Sequence, residues 1–502
     1  MTTVFDFRGS EGRGWSQPDP ISPNPIESIP KELRRSSLPL WPRASEPELV
    51  RHYTGLSQRN FGIDTGFYPL GSCTMKHNPR INEKIVQLPG IDRIHPLQDE
   101  SQVQGLLAIY FEMQEMLAIC SGMDSVTLQP VAGAQGEFTA IRCIQEYHRS
   151  QGQGHRDKVI VPDSAHGTNP ASASMCGYQI IEIPSGEDGR LDLDALRAAV
   201  GEDTAAMMIT NPSTLGLFEV DISEAARIVH DSGGQMYYDG ANFNAIIGKT
   251  DPGRMGFDAV HYNLHKTFSQ PHGGGGPGSG PIGVKSHLSQ FLPTPIASRR
   301  DSEEGDPDGV GDGFWYYWGE VGENSIGKVQ QWNGNAGAVV RAWAFYRRYG
   351  RDLVKMSEHA VLNSNYLRHR IMNPDPETAQ KILSMPVEGA EADRVMHEFT
   401  LSLSPVKELN GVTGKDVAKR LLDYGYMSPT LYFPQIVPEC LMIEPTETES
   451  KEVLDKFAAD FHSILSEDPE VVISAPHTTP VKRVDEVWAA RNLVLRYPSE
   501  GN

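Results

Sequence analysis

The chain has 502 residues, 39% of them hydrophobic and 22% charged, with a formal net charge of −20. That composition describes an ordinary soluble globular protein, long enough for more than one domain. The acidic balance excludes the usual footprint of a nucleic-acid or anionic-membrane binder, which concentrates positive charge to release counterions.

The N-terminus, MTTVFDFRGSEGRGW, has no basic start followed by an apolar core, so no signal peptide is read there. No stretch reaches the roughly eighteen apolar residues of a membrane span. The five cysteines (Cys73, Cys120, Cys143, Cys176 and Cys440) are scattered without a C-x-x-C, which fits reduced thiols in the cytoplasm. Residues 1–100 are rich in proline and polar groups, and SQPDPISPNPIESIP cannot hold a regular helix. They read as an extended arm that wraps a neighbour, with disorder as the alternative the composition equally allows.

From about residue 105 short β-prone runs alternate with helical ones, which predicts a mostly parallel sheet in a large α/β domain over 101–340. The candidate strands are SVTL (125–128), KVIV (158–161), AAMMIT (205–210), QMYY (235–238) and FDAVHY (257–262). Asp221 is expected to cap the helix ISEAARIVHDS with its carboxylate, and Gly233-Gly234 to end it. The stretch 298–313 is acidic and glycine-rich and reads as a surface loop. GNAGAVVRAWAFYRRYG is helical, and beyond 395 a mixed segment beginning MHEFTLSLS closes a smaller α+β domain over 341–502.

In open α/β sheets ligands bind beyond the carboxyl ends of the strands. After SVTL comes a small-residue turn, with Gly133, Ala134 and Gln135 at the start of a helix whose N-terminus favours a phosphate; taken alone it reads sooner as a plain strand-to-helix turn. After KVIV comes His166, able to stack on an aromatic ring, with Gly167 and Thr168; taken alone it reads sooner as a packed histidine. After AAMMIT come Asn211 and Thr214, placed to donate to a phenolate-like oxygen, or simply an Asn-Pro turn. Asp239 ends an apolar strand and needs a cationic or hydrogen-bonding partner, which a protonated pyridine nitrogen supplies. Past FDAVHY stands Lys266, preceded by Asn263 and His265, where burial favours the neutral, nucleophilic amine.

Competing motifs fail on context. Gly278-x-Gly280-x-x-Gly283 leads into PIGVK, a strand start, rather than following a strand and opening a helix. Gly248-Lys249-Thr250 imitates the end of a phosphate-binding loop, but position 243 is Phe where that loop needs Gly. No H-E-x-x-H and no zinc spacing occurs, and no metal is expected.

A phosphate turn, a stacking histidine, an aspartate at a strand end and then a lysine form the order used by pyridoxal-phosphate enzymes of the aspartate-aminotransferase type. Longer strings make the resemblance specific. YPLGSCTMKHNPR (68–80), QPVAGAQGE (129–137), SAHGTNPASA (164–173), LHKTF with PHGGGGPGSGPIGV, MSPTLYFP (427–434), MIEPTETESK (442–451) and PHTTPVKRVDE (476–486) resemble glycine decarboxylase, the P protein of the glycine cleavage system. The length and FYPLGSCTMK resemble subunit 2 of its two-subunit form.

The resemblance implies glycine as substrate and pyridoxal 5'-phosphate attached at Lys266. It implies transfer of the aminomethyl group to a lipoylated H protein, and a heterotetramer of two such chains with two copies of subunit 1. It also implies catalytic roles for Lys266, His166 and Asp239, and a glycine loop at 273–283 that lets backbone approach the cofactor or substrate. Met427 departs from the family, which commonly has histidine there, so a contact made by that histidine is in doubt here. The alternatives are another enzyme of the same cofactor fold, an amino-acid decarboxylase or a cysteine desulfurase, and a non-catalytic assembly subunit.

Overall fold

The computed structural model describes residues 3–7, 28–36, 44–272, 278–303, 310–373 and 394–495. Most of the proline-rich stretch 16–30, the glycine run 273–277 and positions 304–309 of the acidic segment lie outside the described residues. The chain forms two compact units, one of residues up to Gly66 together with those from Ala475 onward, the other Phe67–Ser474. In the first, the helix Glu46–Ser57 opens on a capping box. The Ser45 hydroxyl and main-chain N–H donate to the Glu48 carboxylate at 2.8 and 2.7 Å, satisfying groups a helix start leaves free.

The second unit is built on a seven-stranded sheet. Its strands are β1 (Ser125–Thr127), β2 (Lys158–Pro162), β3 (Gln179–Ile183), β4 (Thr204–Thr210), β5 (Gln235–Gly240), β6 (Ala259–Tyr262) and β7 (Ile282–Val284). The spatial order is β1-β7-β6-β5-β4-β2-β3. Strands β3, β2, β4, β5 and β6 run parallel, and β7 lies antiparallel between β6 and β1.

Parallel strands buried on both faces read as continuous apolar runs, and β4, β5 and β6 are buried throughout. Alternate residues enter opposite cores. Met207, Ile209, Met236, Tyr238 and Val260 face one core with Leu107, Tyr110 and Leu117 of the helix Gln104–Ser121. Ala206, Met208, Tyr237 and Ala259 face the other with Ile141 and Ile144 of the helix Gly133–Ser150.

All five expected strands are present. β6 starts two residues later than its apolar run, because the Asp258 carboxylate accepts the Met236 N–H at 2.7 Å and bonds His230 at 2.7 Å. β3 escapes the sequence reading: it is an edge strand, and Gln179 and Glu182 interrupt its apolar pattern. The helix Ile222–Asp231 forms where expected, but Asp221 caps it differently. Its carboxylate makes no capping bond, and its carbonyl accepts from Glu224 and Ala225, both at 3.0 Å.

The surface-loop expectation for 298–313 is corrected at its start. Ile296–Asp301 is a strand, β8, paired antiparallel with β9 (Phe314–Gly319). The aromatic run Phe314-Trp315-Tyr316-Tyr317-Trp318 drives this pairing, and the Arg299 guanidinium lies over the Phe111 and Phe314 rings at 4.7 and 4.4 Å.

A second, three-stranded antiparallel sheet follows, with β10 (Phe399–Ser402), β11 (Thr430–Leu431) and β12 (Cys440–Ile443) in the order β10-β12-β11. It packs under the helices Gly414–Asp423 and Lys451–Ser466 around Leu401, Leu441, Leu421, Phe457 and Phe461.

Gly240 closes β5 where a Cβ would stand 1.8 Å from the His261 carbonyl oxygen of β6. Gly240→Ala is therefore expected to force the two central strands apart and to cost about 3 kcal/mol, read as a lowered urea midpoint.

Candidate active site

The functional side chains gather at the carboxyl ends of β5 and β6. Asp239 is 2% exposed at the end of β5. Its Oδ2 accepts from the Asn169 amide at 2.8 Å and its Oδ1 from the Ala241 N–H at 3.0 Å. Burial works to raise this carboxyl, but His261, those two donors and the Lys266 amine hold it below the usual carboxylate range.

His261, on β6, is 2% exposed, and burial holds its ring neutral despite Asp239 beside it. Nε2 faces two acceptors, Asn263 Oδ1 at 3.0 Å and Asp239 Oδ1 at 3.6 Å, while Tyr237 Oη lies 2.6 Å from Nδ1. The proton therefore sits on Nε2 and the tyrosine donates to Nδ1. A neutral imidazole leaves Asp239 uncompensated by any full charge on its own sheet, which suits it to a cationic ring nitrogen.

Lys266 occupies the turn after β6, its N–H donating to the Asn263 carbonyl at 3.0 Å. The next carbonyl, that of Thr267, is held by the Lys76 amine at 2.8 Å. Lys76 is 3% exposed, pairs with Glu447 at 2.8 Å and lies 4.9 Å from the centre of the Phe345 ring. His265 accepts a long bond from the Ser279 N–H at 3.4 Å, and burial with the neighbouring Lys266 lowers it to about 3.

The turn before the helix Gly133–Ser150 presents main-chain donors at the expected place. Gln135 braces it, accepting from the Val131 N–H and donating to the Val329 carbonyl, both at 2.8 Å. The first-turn N–H groups of Gly133, Ala134 and Gln135 have no acceptor within the helix. Gly280 presses against this turn, where a Cβ would stand 2.0 Å from the Ala132 carbonyl oxygen. The described glycines before β7 thus serve close packing of main chain on the turn.

Beside it, Thr168 donates to Glu137 at 2.6 Å, and its hydroxyl lies 2.8 Å from Nδ1 of the exposed His166. Asn211 and Thr214 depart from the expected role as donors to a phenolate-like oxygen. The Asn211 amide is committed to the Glu219 main chain, accepting its N–H at 3.0 Å, and the Thr214 hydroxyl donates to the Ser164 carbonyl at 2.8 Å.

Sequence reasoning missed Glu137, Asn169 and His261. Glu137 is buried, accepts from Thr168 and Ser172, and is raised to about 7 by burial and by Asp239. Below about 4.5, its ordinary value, folded and unfolded chains both hold this proton. Above that the unfolded chain releases it first, so stability falls with rising pH until about 7. Glu137→Gln is expected to flatten that decline in urea midpoints measured across the same window.

A helix N-terminus for a phosphate, a histidine at the mouth, an ionised aspartate for a ring nitrogen and a lysine for an aldehyde form a donor set that fits pyridoxal phosphate. With the parallel sheet, they define a pyridoxal-phosphate-dependent transferase of the aspartate-aminotransferase fold, carrying a smaller C-terminal α+β part. Residues 135–277 match the class-V aminotransferase family, and 356–481 match the family described as glycine dehydrogenase, C-terminal domain. The chain belongs to the glycine dehydrogenase (decarboxylating) subunit 2 family.

It is 52% identical to "Probable glycine dehydrogenase (decarboxylating) subunit 2" of Thermococcus gammatolerans, over 98% of this chain and 95% of that one. The protein of the same name from Halalkalibacterium halodurans is also 52% identical, over 98% and 97%. A crystal structure of glycine decarboxylase (P-protein) of the glycine cleavage system, in inhibitor-bound form, shares the fold with a TM-score of 0.70. That likeness carries 18% identity and covers 87% of this chain and 94% of that one. A NIFS-like protein shares the fold at a TM-score of 0.58 and 14% identity, covering 80% and 99%.

Proposed function

We propose that this chain decarboxylates glycine with pyridoxal phosphate bound at Lys266. It passes the aminomethyl group to the lipoyl arm of an H protein, working in the cytoplasm with glycine decarboxylase subunit 1. The carrying observation is the buried, ionised Asp239 on the strand beside the one that leads to Lys266, in a chain of this family.

Bound pyridoxal phosphate supplies an electron sink for the pair left when the bond to the substrate's carboxylate carbon breaks. Asp239 keeps a proton on the ring nitrogen, and Asn169 with Ala241 fixes the carboxylate that does so. The N–H groups of Gly133, Ala134 and Gln135 would hold the phosphate, and His166 would help to orient the ring. The Lys266 amine would hold the cofactor aldehyde and would also carry protons to and from the substrate.

The sequence reading gave residues 1–100 to partner contact, but those from Phe67 onward belong to the compact unit that holds the sheet, with Lys76 bonded to the Thr267 carbonyl, so residues 1–66 are the part left for the partner subunit. Of the parts read as 101–340 and 341–502, the second gives its first helices to the large core, through Phe345, Leu353 and Met356, before its own core begins at Leu367 and Ile371. A desulfurase reading needs an activated thiolate. Cys73 shares the field of Lys266, but burial pushes its thiol up, opposite to activation.

The test is exchange of labelled bicarbonate into glycine with lipoylated H protein present. The chain alone should exchange little. Adding subunit 1 should restore exchange and shift both proteins to a two-plus-two species on a sizing column. Full exchange by the isolated chain would overturn the partner requirement.

A further inference from the structure

Opposite the cofactor lysine the small sheet brings together acidic groups that the mechanism above leaves unused. β10 and β12 pair antiparallel with Phe399 facing Ile443, so one step further the register sets Glu398 across from Glu444. Both glutamates and the neighbouring His397 are 0% exposed. One nitrogen or oxygen of each lies within 4.8 Å of the other two.

The segment before Lys76 and the loop after Asp239 hold this cluster with neutral donors. Ser72 N–H donates to Glu398 at 2.7 Å and Thr74 N–H to Glu444 at 2.9 Å. Ser72 and Thr74 both stand at positive φ, 63° and 47°, a conformation that costs non-glycine residues energy and here aims the two N–H groups at the carboxylates. The Asn242 and Asn244 amides donate to Glu398 and Glu444 at 3.3 and 3.2 Å. Among the described residues neither glutamate forms an ion pair with lysine or arginine.

Two carboxylates enclosed at this separation do not both ionise near neutrality. Burial and the charge of Glu444 push Glu398 well above the usual range, and burial also raises Glu444. His397 does not neutralise them: burial lowers it to about 3, and both its ring nitrogens lack a hydrogen-bond partner. The thiols of Cys73 and Cys440 face the cluster, both raised by burial, and the field of the Lys266 amine reaches Glu398, Glu444, His397 and Cys73.

The transfer to a disulfide acceptor consumes a proton. Glycine loses carbon dioxide, and the electron pair of the broken carbon–carbon bond forms a carbon–sulfur bond. The sulfur–sulfur bond breaks with its pair on the second sulfur, so the disulfide is reduced and the leaving thiolate takes up one proton. We infer that Glu398 and Glu444, with His397 beside them, form a one-proton store that supplies this proton, an assignment that rests on the function proposed above.

Infrared difference spectra of the purified chain at neutral pH, wild type minus Glu398→Gln, should show a protonated-carboxyl band from Glu398. Glu444→Gln removes the repelling partner, so the Glu398 band should titrate away at lower pH than in the wild type. With subunit 1 and lipoylated H protein, Glu398→Gln should slow transfer to the lipoyl arm about a hundredfold. Cofactor absorption should keep its wild-type form.

No Glu398 band in the wild type, or transfer at the wild-type rate in Glu398→Gln, would overturn the store. So would one equivalent of metal ion retained by the wild type through dialysis and lost in His397→Ala, which would assign the cluster to a cation. Wild-type complex without glycine–bicarbonate exchange would instead remove the proposed function, whatever the infrared spectra show.

Discussion

Lys266→Ala is expected to lower glycine–bicarbonate exchange by about 10⁴-fold, the upper end of what a positioned proton-transferring side chain contributes. The substitution removes the amine proposed both to anchor the cofactor and to move protons. The fold should survive. The Lys266 side chain makes no hydrogen bond within the described residues, and the local chain is held through other groups: the Lys266 N–H on Asn263, and the Thr267 carbonyl on Lys76. Borohydride reduction of the loaded wild type should fix pyridoxal phosphate to Lys266, as a modified peptide seen by mass spectrometry. Undiminished exchange in the folded variant would end the assignment.

The second large effect belongs to Asp239→Asn, which should lose about 3 kcal/mol of transition-state stabilisation, roughly a hundredfold in rate, while retaining bound cofactor. The structure explains why the variant should fold. Asn169 Oδ1 is buried with no hydrogen-bond partner, so turning the Asn169 amide over presents an acceptor to the new NH₂ group at 239. What disappears is the negative charge that would hold a proton on the ring nitrogen. His166→Ala, at an exposed position, should act mainly on cofactor affinity. An unchanged rate in Asp239→Asn with a lost rate in His166→Ala would reverse the two roles.

The central strands and the strand-end lysine and aspartate were legible because parallel strands buried on both faces show as apolar runs, and a charged residue at the end of such a run stands out. Asp239 stands at such an end, and Lys266 four residues past the end of β6. His261 lies inside β6, where only the register with β5 reveals that it faces Asp239 rather than the opposite core. Asn211 shows the converse limit: a strand-end amide looks available in sequence, but the turn it begins returns Glu219 to occupy it.

The Glu398–Glu444 cluster was illegible for a further reason. Its members arrive from positions near 72, 242, 398 and 444, each of which reads alone as an ordinary polar residue flanking an element. The capping carboxylate of Asp221 was misread because a carbonyl does the same work, and sequence does not distinguish the two acceptors.

The ion pair between Lys76 and Glu447 bears on how the site can open. The Lys76 amine grips both the Thr267 carbonyl, on the turn that carries Lys266, and Glu447 just beyond β12, with its side chain almost fully enclosed. A rigid-body swing of the small sheet away from that turn would strand one of these partners, and breaking a buried pair costs about 3–5 kcal/mol. The two sheets are therefore latched, and hinging the halves of the site apart is a costly way to open it.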